Sequence, residues 1–163
     1  MNIFKRTVKC WIEHYNPNRY WKKRAYVMDK KHPKILRAFS LMYLHRTDAH
    51  NAACISTGLW GGATFKSDPI LPHGIKGIVI HPTAVIGENV TIMHQVTIGT
   101  LDVDESAVIG DNVFIGAGAK ILGKIKIGNG AKIGANAVVI KDVPENATVV
   151  GVPGRIIEKL KED

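Results

Sequence analysis

The C-terminal two-thirds of the chain carries an aliphatic residue at almost every sixth position. A second column, four positions after each of these, holds small or aliphatic residues in ten of eleven cases. A period of six fits neither the 3.6 residues of a helical turn nor the alternation of an ordinary strand. It predicts short strands joined by tight turns, three strands to a triangular coil of about 18 residues, with the aliphatic side chains inside. The first column comprises Ile80, Ile86, Ile92, Ile98, Ile109, Ile115, Ile121, Ile127, Ile133 and Val139.

The repeat is interrupted once, where Ile98 and Ile109 stand 11 residues apart. If Val103 supplies the missing side, one residue has been deleted there and the series of sides continues. The predicted fold class is mainly β, a parallel β-helix of hexapeptide repeats preceded by a short helical, basic N-terminal region. Repeats of this kind usually serve as a scaffold, so we look for function in residues that break the pattern or line a groove.

The region before the repeat is basic and aromatic. Residues 1–50 hold 12 basic and 3 acidic side chains, whereas residues 51–163 hold 10 and 11, so this region accounts for the net charge of +8. Helical spacing predicts a first helix that Pro17 ends. It also predicts a second helix, from about residue 34 to about residue 53, with Ile35, Phe39 and Met42 on one face. The apolar face of the first helix comprises Phe4, Val8, Trp11 and Tyr15.

Three roles are open for this basic region. Packing of its aromatic face on the body of the protein is favoured, and contact of residues 1–31 with an anionic membrane surface is the alternative. Nucleic acid is disfavoured because no nucleic-acid-binding motif accompanies the charge. We expect no membrane-spanning helix and no signal peptide. Cys10 and Cys54 fit neither a disulfide framework nor a metal site, so we expect a cytoplasmic protein.

Three segments resemble a known family. The segment 150–156, VGVPGRI, closes the hexapeptides and is similar to the left-handed parallel β-helix acyltransferases. The segments 71–80 and 115–123, LPHGIKGIVI and IGAGAKILG, resemble its serine O-acetyltransferase branch. They are most similar to short members associated with surface-polysaccharide biosynthesis. The resemblance implies a homotrimer with acetyl-CoA between neighbouring prisms. It divides the chain into a helical region (1–57), the acyltransferase β-helix (58–144) and a tail with a short helix (145–163).

The resemblance also indicates a catalytic base. Transfer of an acetyl group from a thioester to a hydroxyl needs a group that takes the hydroxyl proton, and histidine is suited to this role. His73 lies in a turn shaped by Pro72 and Gly74, matches the family's catalytic histidine, and is the favoured base. His94, in a turn of the repeat, is the alternative.

The same resemblance indicates residues for acetyl-CoA. Gly99, Ala117 and Ala135 are expected to line the groove for the pantetheine arm, because small residues leave backbone amides accessible. Lys132 and Arg155 are expected to meet the phosphates. We expect no metal, since no metal-binding motif is present.

The acceptor is predicted from a departure from the family pattern. Serine acetyltransferases carry an Arg and a His in a loop that corresponds here to residues 100–106, TLDVDES, with Ser106 at the His position. Pro72 stands where the family has an Asp. Because an acidic segment repels the carboxylate of serine, we predict a sugar hydroxyl of surface-polysaccharide biosynthesis as the acceptor. One alternative is a serine O-acetyltransferase of cysteine biosynthesis, and another is a catalytically inactive β-helix scaffold.

Overall fold

The computed structural model describes residues 14–101 and 104–157. Two helices come first, α1 (Pro17–Met28) and α2 (Lys34–His50). Asn16 caps α1, because its side-chain oxygen accepts a hydrogen bond of 3.1 Å from the backbone N–H of Arg19. Pro17 takes the first helical position, where its missing N–H costs nothing. Pro17 therefore begins α1, and the earlier helix predicted from Phe4, Val8 and Trp11 lies outside the described residues.

Thirteen short strands follow within the described residues, and most are two residues long. Their bounds are β1 (Thr64–Phe65), β2 (Val79–Ile80), β3 (Val85–Ile86), β4 (Thr91–Ile92), β5 (Thr97–Gly99), β6 (Val108–Ile109), β7 (Phe114–Ile115), β8 (Lys120–Leu122), β9 (Lys126–Ile127), β10 (Lys132–Ile133), β11 (Val138–Val139), β12 (Thr148–Val150) and β13 (Arg155–Ile157).

The strands form three sheets, which are the three faces of a prism. Face A consists of β2, β5, β8 and β11, and face B of β1, β3, β6 and β9. Face C consists of β4, β7, β10 and β12, which pair in parallel, with β13 antiparallel at its edge. Consecutive strands from β2 to β11 lie on different faces, so the chain winds as a parallel β-helix, as the six-residue period predicts.

The strand register shows that the coils differ in length. Ile80 pairs with Ile98, 18 residues later, whereas Ile98 pairs with Ile121, 23 residues later. The five extra residues lie between β5 and β6. The prediction that Val103 supplies a side is therefore wrong, because Ile98 and Ile109 lie on adjacent faces with no side between them. The interruption is an insertion into a corner, and no residue has been deleted.

The interior of the prism holds both predicted columns. All ten aliphatic residues of the first column are buried, and the small or aliphatic residues of the second column from Ala84 to Val143 are buried as well. Corner residues adopt positive φ, which asparagine tolerates better than most residues. These corner residues are Asn89, Gln95, Asn112, Asn136 and Asn146.

The two helices pack on the first coil through buried aromatic and charged side chains. The ring of Trp21 lies edge-on to Phe65 of β1, with 5.1 Å between centroids. The Tyr20 hydroxyl donates a 2.6 Å hydrogen bond to the Asp48 carboxylate, and the Arg24 guanidinium donates to the carbonyl of Ala63. The packing role predicted for the aromatic region is confirmed for its described part. None of the described helices is long and apolar enough to span a bilayer.

The end of the described chain is a short antiparallel pair. β12 and β13 pair through Thr148 with Ile157 and Val150 with Arg155. The short helix expected in the tail is absent up to Ile157, and residues 158–163 lie outside the described residues.

Candidate active site

One corner of the prism carries both candidate histidines. The pairing of Ile70 with Thr91, of Thr91 with Phe114 and of Phe114 with Lys132 fixes the register of four successive coils. Three residues further along each coil, the chain turns from face C towards face A. The residues at this equivalent position are His73, His94, Ala117 and Ala135, and we call them the histidine column.

The two histidine rings contact each other. Their centroids lie 5.0 Å apart and their planes meet at 80°, an edge-to-face arrangement. The His73 side chain is exposed, whereas His94 is half-buried. The Nδ1 atom of His94 is enclosed and has no hydrogen-bond partner within the described residues. An N–H at that atom would be left unsatisfied, so the neutral ring is better accommodated with its hydrogen on Nε2.

A tight turn presents His73 at the top of the column. Gly74 has a φ of +67° and its N–H donates a 3.1 Å hydrogen bond to the carbonyl of Leu71. A Cβ at Gly74 would lie 3.1 Å from the ring of Tyr15, so a side chain there would press against the helical region. Glycine therefore serves both the positive φ and the close approach. Tyr15 in turn accepts a 3.1 Å hydrogen bond from the Trp21 indole, which ties the turn to α1.

The candidate groove residues divide between the column and the two faces beside it. Ala117 and Ala135 belong to the column, directly below His94. Gly99 lies on face A, where a Cβ would be 3.5 Å from Leu122, an ordinary contact distance. The side chain at this position is thus absent without any steric need for glycine, which leaves an open strip beside the column.

The candidate phosphate-binding cations lie on face C. Lys132 stands on β10 and Arg155 on β13, two strands further along the same sheet, and both side chains are exposed. Faces C and A meet at the histidine column. The structure thus brings His73, His94, Ala117 and Ala135 together, and sets Gly99 on one side of them and the two cations on the other.

The acidic segment behind the acceptor prediction is largely paired. Glu105 lies 2.9 Å from the Lys124 ammonium, and Asp104 lies 3.4 Å from Nε2 of His81. The buried Ser106 donates a 3.0 Å hydrogen bond to the carbonyl of Gly99, so it anchors the corner insertion. The pairing of Glu105 weakens the argument that this segment repels a carboxylate. Asp102 lies outside the described residues.

The clearest pKa shifts lie away from this corner. Burial raises the pKa of the Asp48 carboxyl, and burial together with the neighbouring Asp48 raises the pKa of Tyr20. This network joins α1, α2 and the first coil, and sequence reasoning missed it because a charge in a basic segment usually lies on the surface. Within the described ranges, no group of three His, Cys, Asp or Glu side chains is arranged to hold a metal ion.

Comparison with known proteins agrees with this architecture. Residues 106–141 match the family model for the bacterial transferase hexapeptide (six repeats). With the similar solved structures below, this confirms a left-handed parallel β-helix of hexapeptide repeats.

Three similar proteins carry one name. The serine acetyltransferase of Mycobacterium tuberculosis is 50% identical over 99 residues, which are 59% of this chain and 43% of that protein. A soybean serine acetyltransferase solved in complex with serine is 42% identical, with a TM-score of 0.63, over 74% of this chain and 49% of the other. A serine acetyltransferase solved in complex with CoA is 38% identical, with a TM-score of 0.65, over 74% and 48%.

These comparisons correct the predicted acceptor. The chain spans about half the length of the curated relatives it matches. Those relatives are named serine acetyltransferases, so the prediction of a sugar acceptor in polysaccharide biosynthesis is wrong and the serine alternative is the better supported one. The error came from treating the acidic segment as uncompensated charge, whereas Glu105 and Asp104 have cationic or potentially cationic partners.

Proposed function

We propose that this chain is an acyltransferase that moves the acetyl group of acetyl-CoA to the hydroxyl of serine. The observation that carries the proposal is the histidine column, with an exposed histidine above small residues at the junction of two faces. Its support is the likeness to serine acetyltransferases solved with serine and with CoA.

His73 is the proposed base. A ring nitrogen of His73 takes the proton from the serine hydroxyl while the hydroxyl oxygen attacks the thioester carbon. The carbon–sulfur bond then breaks, and the protonated imidazole returns its proton to the departing thiolate of CoA. His73 is a better candidate than His94 because its side chain is exposed, whereas Nδ1 of His94 is enclosed. An unperturbed histidine pKa near 6.5 leaves His73 mostly neutral and able to accept a proton at neutral pH.

The groove for acetyl-CoA is proposed along the histidine column. Ala117, Ala135 and Gly99 carry little or no side chain, so a pantetheine arm can approach the backbone there. Lys132 and Arg155 stand exposed on face C and would pair with the phosphates, the lysine as a point charge and the arginine as a fork.

We propose a homotrimer around this corner. Exposed apolar side chains lie on both faces that meet at the column, and an interface between prisms would bury them. They are Val79 and Ile140 towards face A, and Phe114, Val150, Val152 and Ile156 towards face C. The division into residues 1–57, 58–144 and 145–163, and a cytoplasmic location, stay predictions.

The direct test is release of CoA thiol by the purified chain with acetyl-CoA and L-serine. The proposal expects saturable, serine-dependent release well above the slow hydrolysis of the thioester. D-Serine, which has the same groups in the wrong geometry, is the matched control and should give little release. CoA binding without turnover on L-serine would support the inactive scaffold instead, and equal release with both enantiomers would exclude a specific serine site.

A further inference from the structure

Helix α2 presents an apolar ridge on the side that faces away from the prism. Ile35, Phe39 and Met42 are spaced four and three residues apart, so they share one face of the helix. Their side chains are 69%, 65% and 66% exposed. The opposite face, which includes Leu44 and Thr47, is buried against the body of the protein. We call the three exposed residues the α2 ridge.

An exposed tryptophan stands beside the ridge. Trp60, in the loop before β1, is 79% exposed. The Lys34 ammonium at the start of α2 lies 4.7 Å from the centre of the Trp60 ring, so loop and helix are neighbours. Four large apolar side chains in water at one place are unfavourable, and such a patch marks an interaction surface.

Cations border the ridge. The Arg19 guanidinium and the Lys23 ammonium lie 4.7 Å and 5.4 Å from the ring of Tyr43, which places these α1 cations beside α2. Arg46 is exposed one turn beyond Met42, on the face of the ridge itself. With Lys34 at the other border, the apolar ridge is framed by positive charge.

The surrounding surface offers little negative charge to balance these cations. Residues 14–60 contain nine Lys and Arg side chains but only two acidic ones, Asp29 and Asp48. Asp48 is buried and bonded to Tyr20. Asp29 is therefore the one exposed carboxylate in this range.

We propose that the α2 ridge docks on an anionic lipid bilayer. Ile35, Phe39, Met42 and Trp60 would enter the boundary between headgroups and acyl chains, while the flanking cations would lie among the lipid phosphates. The ridge projects as a single helix with an aromatic at its side, the form typical of interfacial helices. A second copy of this chain is a poorer occupant, because it would bring two strongly basic surfaces together. The proposal is independent of the acetyl-transfer activity.

The test is co-sedimentation of the full chain with vesicles. One set contains phosphatidylcholine and phosphatidylglycerol in about equal parts, and the other contains phosphatidylcholine alone. The variant Phe39→Ser/Met42→Ser removes apolar area without changing charge. Val108→Ser is the matched control, since Val108 is an exposed apolar residue on face B, away from the ridge. Circular dichroism checks that each variant is folded.

The proposal expects wild type and Val108→Ser to sediment with the anionic vesicles and not with phosphatidylcholine alone. Partitioning of Phe39→Ser/Met42→Ser should fall at least about tenfold, because the apolar contribution is lost. Lys34→Gln/Arg46→Gln should also bind less tightly, with a weaker dependence on salt. Failure of wild type to sediment, or unchanged binding of the ridge variant, overturns the proposal. So does a change in the mass of the assembly in Phe39→Ser/Met42→Ser, measured by light scattering without lipid, because the ridge would then be a contact between copies.

Discussion

His94 lies one coil below His73 at the same corner of the prism, with ring centroids 5.0 Å apart and planes at 80°. The contact gives His73 an edge-to-face neighbour that limits the orientations of its ring. It also divides the roles of the two histidines, since the upper ring is exposed and the lower one is half-buried.

We predict that His94→Gln lowers kcat about tenfold with little change in the KM for serine. The amide would no longer fill the space under the His73 ring, so the base would spend less time in its productive orientation. Steady-state kinetics of acetyl transfer measure this, with His81→Gln, at a different corner, as the control. A loss at His94 larger than the loss at His73 would mean that His94 is the base.

Removal of one cation from face C should weaken binding of acetyl-CoA. Lys132→Gln is expected to raise the KM for acetyl-CoA about tenfold, equivalent to about 1.4 kcal/mol, with kcat little changed. Lys126→Gln is the matched control, because Lys126 is exposed and occupies the same position of its strand, but on face B. An equal effect of both substitutions would mean that net charge, and no particular site, attracts the phosphates.

Tight stacking of the coils makes one glycine irreplaceable. A Cβ at Gly116 would lie 2.6 Å from the backbone nitrogen of Ala135 on the next coil. Gly116→Ala must therefore push two coils apart, and we expect it to lower the free energy of unfolding by at least about 2 kcal/mol. Gly61→Ala is the control, since no atom lies within 4 Å of a Cβ there. Thermal and urea unfolding of both variants measure the difference, and similar stabilities would refute the stacking argument.

Asp48 links stability to pH. Burial raises the pKa of its carboxyl in the folded chain above the unfolded value near 3.9, so the folded state holds the proton more tightly. Its contribution to stability is therefore greatest below the unfolded pKa and decreases as the pH rises through the folded pKa.

Asp48→Asn removes this titration while keeping the shape of the side chain. We predict that the stability of Asp48→Asn relative to wild type increases as the pH rises from about 4 to about 8. Urea unfolding at several pH values measures it, with Asp29→Asn, at the end of α1, as the control. A constant difference across this pH range would mean that Asp48 has the same pKa in both states.

Much of the fold follows from the six-residue period because only the interior of a prism selects for it. Each side has one position that must be buried, as at Ile98 and Ile121, and this requirement repeats regardless of the outer surface. The length of the second coil did not follow, since a corner insertion carries no period. In a uniform series Ala117 would not fall below His94, so the histidine column became apparent only with the register.

The charges were harder to place than the apolar residues. Arg24 and Asp48 lie in a basic segment that suggests a solvated surface, yet both are buried through contacts 39 and 28 residues away in the chain. Glu105 finds its partner Lys124 on the following turn of the prism. Pairs distant in sequence leave no local pattern, and for that reason the acidic segment led to the wrong acceptor.

The central claim is that His73 serves as the base for transfer of an acetyl group to serine. Its most direct test is the initial rate of O-acetylserine formation, followed by mass spectrometry, for wild type and His73→Ala with saturating acetyl-CoA and L-serine. The account predicts product from wild type and a fall in kcat of about 10²–10⁴-fold in the folded variant. Equal rates of product formation in the two proteins would contradict it.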